Sequence, residues 1–209
     1  MLAADFGHLE RETRMINDTR AEWIHIDVMD GVFVPNISYG FPVFKAIRKA
    51  SPKFMDVHLM IVDPERYVER FAEAGADMIT FHFEATDNPK ACIDAIHRAG
   101  VKAGVSIRPK TDVGVLKGLV DCADMALIMS VEPGFGGQAF IPESTQKVRE
   151  LKSMLDEAGL QTLIEVDGGI SPANAGELFA AGADILVAGT SIFKTADYGE
   201  TISKMLDAE

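Results

Sequence analysis

The sequence has few cysteines and no long apolar run, which argues against a secreted disulfide-rich protein and against a membrane protein. Only two of its 209 residues are cysteine, Cys92 and Cys122, and two widely separated thiols do not make the disulfide framework of a small secreted domain. No apolar run approaches the roughly 20 residues that cross a bilayer, and the N-terminus lacks the basic and apolar regions of a signal peptide. We therefore expect a cytoplasmic protein with no membrane partner.

Positive charge is also scarce. Lysine and arginine together number 20 against 32 aspartate and glutamate residues, which gives a formal net charge of -12. A surface of this sign repels the phosphate backbone of nucleic acids, so we expect no nucleic-acid partner. An anionic small molecule would need a local anion-binding site on this negatively charged protein. The charge pattern leaves open whether the chain forms a homo-oligomer.

Short apolar runs alternate with amphipathic stretches along the whole chain, a pattern typical of repeated βα units around a parallel sheet. Because no linker or low-complexity segment interrupts it, we expect residues 1–209 to form one α/β domain, a (β/α)8 TIM barrel. A doubly wound open sheet is the alternative, although no G-x-G-x-x-G follows the first strand. The predicted strands are 23–28, 54–60, 78–83, 101–107, 125–131, 162–166 and 185–188, with residues 1–4 as a shortened first strand.

Polar residues at the ends of these runs are the candidates for chemistry, because catalytic groups of parallel barrels come from the C-terminal ends of strands. His25 and Asp27 share one face of their strand, His58 lies near the end of the next, and Asp167 follows a later one. Two imidazoles and two carboxylates at one mouth suit one divalent metal ion such as Zn, Fe, Mn or Co. Each alone could be a hydrogen-bonded strand end, but burying four together is costly without a task.

Three methionines occupy related positions. Met29 lies two residues after Asp27 and Met60 two residues after His58, so each shares a face with that candidate ligand, and Met129 lies near the end of another strand. Flexible core filling is the alternative role for methionine. A soft lining without water would strengthen electrostatic interactions at a metal site. We therefore predict that these methionines line the site.

Glycine-rich segments after three later strands predict an anion trap. Backbone N–H groups in such loops approach phosphate closely, and barrels commonly bind phosphate with the loops after their last two strands. No lysine is needed, which suits an acidic chain, although a single loop of this kind could be only a flexible turn. The candidate substrate and phosphate residues are His58, Gly134, Phe135, Gly136, Gly137, Gly168, Gly169, Gly189 and Thr190.

Five motifs in order resemble the ribulose-phosphate 3-epimerase family over nearly the whole chain. They are HIDVMDG at 25–31, FVPN at 33–36, DVHLM at 56–60, PGFGGQ at 133–138 and EVDGG at 165–169. The resemblance implies an isomerase of the pentose phosphate pathway that interconverts D-ribulose 5-phosphate and D-xylulose 5-phosphate through a cis-enediolate. It implies one divalent metal ion and no organic cofactor.

The resemblance also implies roles for individual residues. It implies that His25, Asp27, His58 and Asp167 bind the metal, with Asp27 and Asp167 also serving as the acid/base pair that inverts C3. It places the phosphate and the reactive intermediate near two further sets of residues, which are Gly136, Gly137, Gly169, Gly189 and Thr190 for the phosphate and Met29, Met60 and Met129 for the intermediate.

The sequence departs from the family pattern at two points. Family members usually carry Pro-Ser before the stretch that matches residues 2–6, and here Met1 stands in place of that lead-in. We therefore expect a shortened first strand and a less complete barrel. Arg108 replaces the asparagine that commonly precedes the proline at this point, and its role is unassigned.

Several alternatives stay open at this stage. An epimerase of the same architecture could act on a six-carbon ketose phosphate such as D-allulose 6-phosphate, and a barrel could bind sugar phosphate and metal without turnover. A related decarboxylase or aldolase is a third alternative, but no candidate Schiff-base lysine lies at a strand end. His82 and Glu84, near another strand end, fit a structural or a catalytic role equally well.

Overall fold

The computed structural model describes residues 1–208, so Glu209, the last residue of the predicted domain, lies outside the described residues. The predicted strands all form from residue 23 onward, and none of their ends differs from the prediction by more than two residues. Each is a run of mainly buried apolar residues, as strands covered on both faces require. The strands are β1 (Trp23–Met29), β2 (Phe54–Met60), β3 (Met78–His82), β4 (Lys102–Ile107), β5 (Met125–Met129), β6 (Leu163–Asp167) and β7 (Ile185–Val187).

Helices follow the strands and cover the outside of the sheet. The side chain of Asn88 accepts a hydrogen bond from the Ala91 N–H and so caps α4, whose first residue is Pro89. Gly159 ends α5 in the left-handed conformation at φ 67°. The helices are α1 (Leu9–Asn17), α2 (Phe41–Ala50), α3 (Val68–Glu73), α4 (Pro89–Arg98), α5 (Glu143–Ala158), α6 (Ala175–Ala181), α7 (Thr190–Phe193) and α8 (Tyr198–Leu206).

Strand order follows chain order from β1 to β7, and every neighbouring pair is parallel. Over residues 1–208 this makes a nearly closed barrel of seven strands, so the predicted TIM-barrel class is confirmed. Ile24 and Ile26 face outward and join the main core under the helices. His25 and Asp27 therefore face the barrel interior, and the register sets Asp27 opposite His58.

The strand expected at residues 1–4 does not form. The Ala4 N–H donates to the Met1 carbonyl over 3.0 Å, which closes a turn. Asp5 then accepts a hydrogen bond from the Gly7 N–H and begins a short 3-10 helix at Phe6–His8. Two of the four residues are alanine, which is depleted in strands. As a result, β1 and β7 do not pair with each other within the described residues.

Two further expectations concern cysteine and the membrane. Cys92 is buried and Cys122 is half-buried, and both are free thiols in the part of the chain that the structure describes. Across residues 1–208, no helix combines the length and the apolar character that a bilayer crossing demands.

Candidate active site

The four predicted metal ligands converge at the carboxyl end of the barrel. Nε2 of His25 lies 3.2 Å from Nδ1 of His58. Oδ1 of Asp27 lies 3.4 and 3.6 Å from these nitrogens, and Oδ2 of Asp167 lies 4.0 and 3.9 Å from them. Bonds of about 2.0–2.1 Å to a tetrahedral ion would separate its ligand atoms by about 3.3 Å. The cluster thus has the spacing of a metal site, widest on the Asp167 side.

The hydrogen bonds around the two histidines also suit a cation. Nδ1 of His25 lies 2.5 Å from Oδ2 of Asp56, and a carboxylate only accepts, so this nitrogen carries the ring proton. Nε2 of His58 is likewise occupied, by Nε2 of His82 at 2.9 Å. With their outer nitrogens engaged in this way, the inner nitrogens of His25 and His58 face one another and the carboxylates of Asp27 and Asp167. A divalent ion would satisfy all four groups.

The pKa of His25 points the same way. Burial alone would lower this pKa, but the charges of Asp56 and Asp27 raise it well above the usual value for histidine. In the absence of a metal ion, a proton therefore binds where the negative field is strongest. The chemistry of this donor set fits a divalent cation, since a field that holds a proton also attracts a metal ion.

The pKa values of the two aspartates are shifted in opposite directions when no cation is bound. Burial tends to raise the pKa of Asp27, but the positive charge of the adjacent His25 holds it well below the usual range. Burial raises the pKa of Asp167, and the nearby Asp27 charge adds to this effect against the opposing charge of His25. Paired carboxyl groups with pKa values moved in opposite directions are typical of an acid and a base that work together.

A second layer of acids lies next to the ligands and was missed as part of the site. Ligand atoms of His25, Asp56 and Glu165 lie within 4.8 Å of one another. Glu165 is 1% exposed, and burial raises its pKa to about 8, so it is largely protonated at neutral pH. The signal was available in the sequence, since Asp56 and Glu165 each lie two residues before a predicted ligand and share its face.

His82 and Glu84 lie on the far side of His58. His82 is fully buried, and burial lowers its pKa to about 4, so its ring is neutral at pH 7. Nδ1 of His82 lies 3.4 Å from Oε2 of Glu84. Partial burial tends to raise the pKa of Glu84, but hydrogen bonds from His82, Thr111 and the Arg108 backbone hold it at about 2. His82 thus contacts a candidate ligand, Glu84 contacts His82, and neither lines the cavity described below.

Arg108 packs on the outside of this group. Its guanidinium lies over the Phe33 ring, 4.1 Å from the centroid, and donates to the Phe33 carbonyl over 2.8 Å. The Phe33 ring in turn lies 4.9 Å from the His82 ring, centroid to centroid. Arg108 thus packs on Phe33, and Phe33 packs on His82. The sequence alone did not suggest this role for Arg108.

A cavity of about 390 Å³ opens beside the ligand cluster. Met29, Met60 and Met129 line it, and all three are at most 5% exposed. Met29 and Met60 pack in one small cluster with Val34. The predicted position of the methionines beside the ligands therefore matches the geometry.

The glycine segments predicted as an anion trap line the same cavity. Gly136 and Gly137 lie beside Thr190, where a Cβ would be 3.9 and 3.6 Å from its Oγ1, an ordinary contact distance. Gly169 has φ 65°, and a Cβ there would lie 2.5 Å from the Phe140 nitrogen. Of the predicted substrate and phosphate residues, His58 is buried behind the cavity wall and does not line the cavity. Those that line it are Gly134, Phe135, Gly136, Gly137, Gly168, Gly169, Gly189 and Thr190.

Fold and site together define a TIM-barrel enzyme with a buried His/Asp cluster that could hold a metal ion at the carboxyl end of its strands. Residues 1–193 match the model of the Ribulose-phosphate 3 epimerase family. The chain belongs to this family.

Individual relatives agree with this assignment. A protein of Synechocystis sp. named ribulose-phosphate 3-epimerase is 47% identical over 205 residues, which cover 97% of this chain and 89% of the relative. An Arabidopsis thaliana protein named ribulose-5-phosphate-3-epimerase, chloroplastic, is 44% identical over 204 residues, 97% of this chain and 73% of the relative. Because that relative is chloroplastic, the cytoplasmic location expected for this chain stays a prediction.

Two solved structures show the same fold at low identity. A 3-hexulose-6-phosphate synthase superposes with a TM-score of 0.73 at 19% identity, over 99% of this chain and 97% of that one. A Streptococcus mutans protein described as KGPDC has a TM-score of 0.73 at 17% identity, over 96% and 90% of the two chains. These likenesses concern the barrel alone.

Proposed function

We propose that this protein is a metal-dependent epimerase that interconverts D-ribulose 5-phosphate and D-xylulose 5-phosphate by inverting C3. The observation that carries the proposal is the convergence of Asp27 and Asp167 with two histidines, all within 4.8 Å, beside a cavity lined by glycine loops. Identity of 47% to a relative named for this reaction supports the choice of substrate.

A C–H bond beside a ketone is too weak an acid for an unaided carboxylate. When bound by His25, Asp27, His58 and Asp167, one Zn, Fe, Mn or Co ion would supply positive charge for the oxygens of the developing enediolate, worth several kcal/mol. No organic cofactor takes part in the proposed reaction.

Inversion needs one proton-transferring group on each face of the planar intermediate. Asp27 and Asp167 lie on β1 and β6, which are not neighbours in the sheet, and their side chains converge on the cluster from these separate strands. In one direction Asp27, whose pKa is lowered, removes the C3 proton while Asp167, whose raised pKa favours the acid form, returns one to the other face. Starting from the other epimer exchanges the two roles.

Met29, Met60 and Met129 provide the apolar wall of the reaction site. Their thioether side chains exclude water without adding competing hydrogen-bond donors, and a drier site strengthens interactions between the aspartates and developing charge. The near-complete burial of these methionines supports this role.

The glycine loops are the proposed phosphate site. Across the described residues, neither lysine nor arginine lines the cavity, so backbone N–H groups of the glycine loops, with the Thr190 hydroxyl, are the proposed donors to the dianion. Gln138 donates from Nε2 to the carbonyls of Glu132 and Phe135 and so shapes the loop. Phe135 is 54% exposed at its tip, a suitable position for a side chain that covers the bound phosphate.

We also assign the reaction to the pentose phosphate pathway, in the cytoplasm, and residues 1–209 to one domain. The pathway rests on the proposed epimerase activity and the single domain on the continuous βα pattern of the chain, while the cytoplasmic location is carried over as a prediction. The oligomeric state stays open.

The test is incubation of the metal-loaded protein with D-ribulose 5-phosphate in heavy water. Deuterium at C3 and appearance of the xylulose epimer, both read by NMR, are expected. D-allulose 6-phosphate is assayed in parallel, and faster turnover of that sugar would favour the six-carbon alternative. Binding of D-ribulose 5-phosphate with no exchange at C3 would instead identify a barrel that binds sugar phosphate without turnover.

A further inference from the structure

We propose that His82 and Glu84 form a hydrogen-bond chain that fixes the tautomer of His58, so that the Nδ1 lone pair of His58 faces the metal site. The inference rests on the metal site of the proposed function. His82 and Glu84 are thus positioning residues, which act through His58 without contacting the substrate.

The first step is the contact between the two imidazoles. Nε2 of His58 lies 2.9 Å from Nε2 of His82, and both side chains are 0% exposed. Two neutral rings make such a contact only when one nitrogen donates and the other accepts. The tautomer of His82 therefore decides that of His58.

The second step is the carboxylate beyond His82. Oε1 of Glu84 accepts hydrogen bonds from the Arg108 N–H over 2.8 Å and from the Thr111 hydroxyl, which leaves Oε2 directed at His82. The distance from Oε2 to Nδ1 of His82 is 3.4 Å, long for a hydrogen bond. Within residues 1–208, however, Nδ1 of His82 is buried and has no hydrogen-bond partner that meets standard geometry, so the Glu84 carboxylate in ion-pair range is the acceptor toward which its proton points. A carboxylate cannot donate, so the ring proton of His82 lies on Nδ1 and Nε2 accepts.

The third step follows for the ligand itself. His58 must donate from Nε2, which leaves a lone pair on Nδ1, the nitrogen 3.6 Å from Oδ1 of Asp27. The opposite tautomer would direct a proton into the metal site and remove one ligand. Partners on the outer side of metal-binding histidines commonly fix the tautomer in this way.

The two candidate histidine ligands are held differently. His25 contacts the carboxylate of Asp56 directly, whereas His58 reaches a carboxylate only through the neutral ring of His82. Phe33 lies against His82, and Arg108 covers Phe33, so the second arrangement is closed off from solvent. The orientation and tautomer of His58 therefore depend on His82 and Glu84, neither of which is a proposed metal ligand.

Glu84→Gln tests the proposal with little change in volume. The amide can donate to Nδ1 of His82, which would reverse the chain and place a proton on Nδ1 of His58. We expect the Kd for zinc, measured by competition with a chromophoric chelator, to rise roughly 10–100-fold. Glu10→Gln is the matched control, because Glu10 is an exposed glutamate paired with Arg14 on α1, and its zinc affinity should equal that of the wild type.

A second measurement reports the tautomers themselves. Nitrogen-15 NMR of the metal-free wild type should find the proton of His58 on Nε2 and that of His82 on Nδ1, and Glu84→Gln should change both. His82→Gln keeps an acceptor for His58 and should bind zinc more tightly than His82→Leu, which has none. Simple loss of packing would not give this order.

Two outcomes would refute the positioning role of His82 and Glu84, and a third would refute the metal site of the proposed function. A zinc Kd for folded Glu84→Gln within about twofold of wild type, well below the loss expected for such partners, would refute the positioning role. A wild-type His58 with its proton on Nδ1 would refute it even if the variants fail to fold. Absence of zinc binding by the wild type would instead remove the metal site of the proposed function.

Discussion

Substitution of Gly169 by alanine tests the close packing that shapes the proposed phosphate site. Gly169 has φ 65°, and a Cβ there would lie 2.5 Å from the nitrogen and 2.7 Å from the Cα of Phe140. Because both atoms belong to the backbone, no rotamer change can relieve the contact. Either the loop that carries Phe140 or the loop after β6 must move.

Gly159 provides a control that separates the two contributions. It has φ 67°, but a Cβ there would have no heavy atom within 4 Å. Left-handed backbone costs a residue with a Cβ roughly 1–2 kcal/mol, and this cost applies to both positions, as does the reduced entropy of the unfolded chain. Crowding at Gly169 adds about 1–3 kcal/mol. We therefore expect a loss of about 1–2 kcal/mol for Gly159→Ala and about 2–5 kcal/mol for Gly169→Ala.

Urea unfolding of both variants gives the free energies, and steady-state kinetics with D-ribulose 5-phosphate gives the functional effect. KM should rise in Gly169→Ala, because the displaced loop holds the phosphate less well, and should not change in Gly159→Ala. Equal free-energy losses for the two variants, together with an unchanged KM for Gly169→Ala, would refute the packing argument.

Other predictions concern metal, acid and thiols. Dialysis against a chelator should abolish turnover, and one equivalent of a divalent transition metal should restore it; full activity in metal-free protein, verified by elemental analysis, would contradict this. The pKa of Glu84 is lowered from 4.5 to about 2, so its stabilising contribution is present above pH 4.5 and is lost as pH falls toward 2; Glu84→Gln should flatten this loss in urea unfolding. Burial raises the pKa of Cys92 to about 12, so a thiol reagent should modify Cys122 first, and equal rates would be inconsistent with the fold.

The ligand cluster could be predicted from sequence because it depends on local geometry. Period-two alternation alone places His25 and Asp27 on one face of β1, and strand ends in a parallel barrel meet at one mouth. The same rule would have added Asp56 and Glu165, but charged residues deeper in a strand do not fit the apolar pattern by which strands are recognised.

Other features depend on contacts between distant segments and could not be predicted in this way. The contact of His58 with His82 depends on the register between β2 and β3. The packing of Arg108 on Phe33 joins residues that are 75 positions apart in the chain. Four residues at the start of the chain are too few to show a periodicity. A turn there could not be distinguished from a strand by pattern alone.

The central claim is that Asp27 and Asp167 act on opposite faces of C3 across one cation, and Asp167→Asn tests it most directly. The variant is incubated with D-ribulose 5-phosphate in heavy water after circular dichroism and zinc titration have verified its fold and metal content. We expect both C3 deuteration and epimer formation to fall by roughly 10²–10⁴-fold. Epimerisation within about tenfold of the wild-type rate would be too fast for a protein that has lost a general acid/base group, and would remove Asp167 from the mechanism.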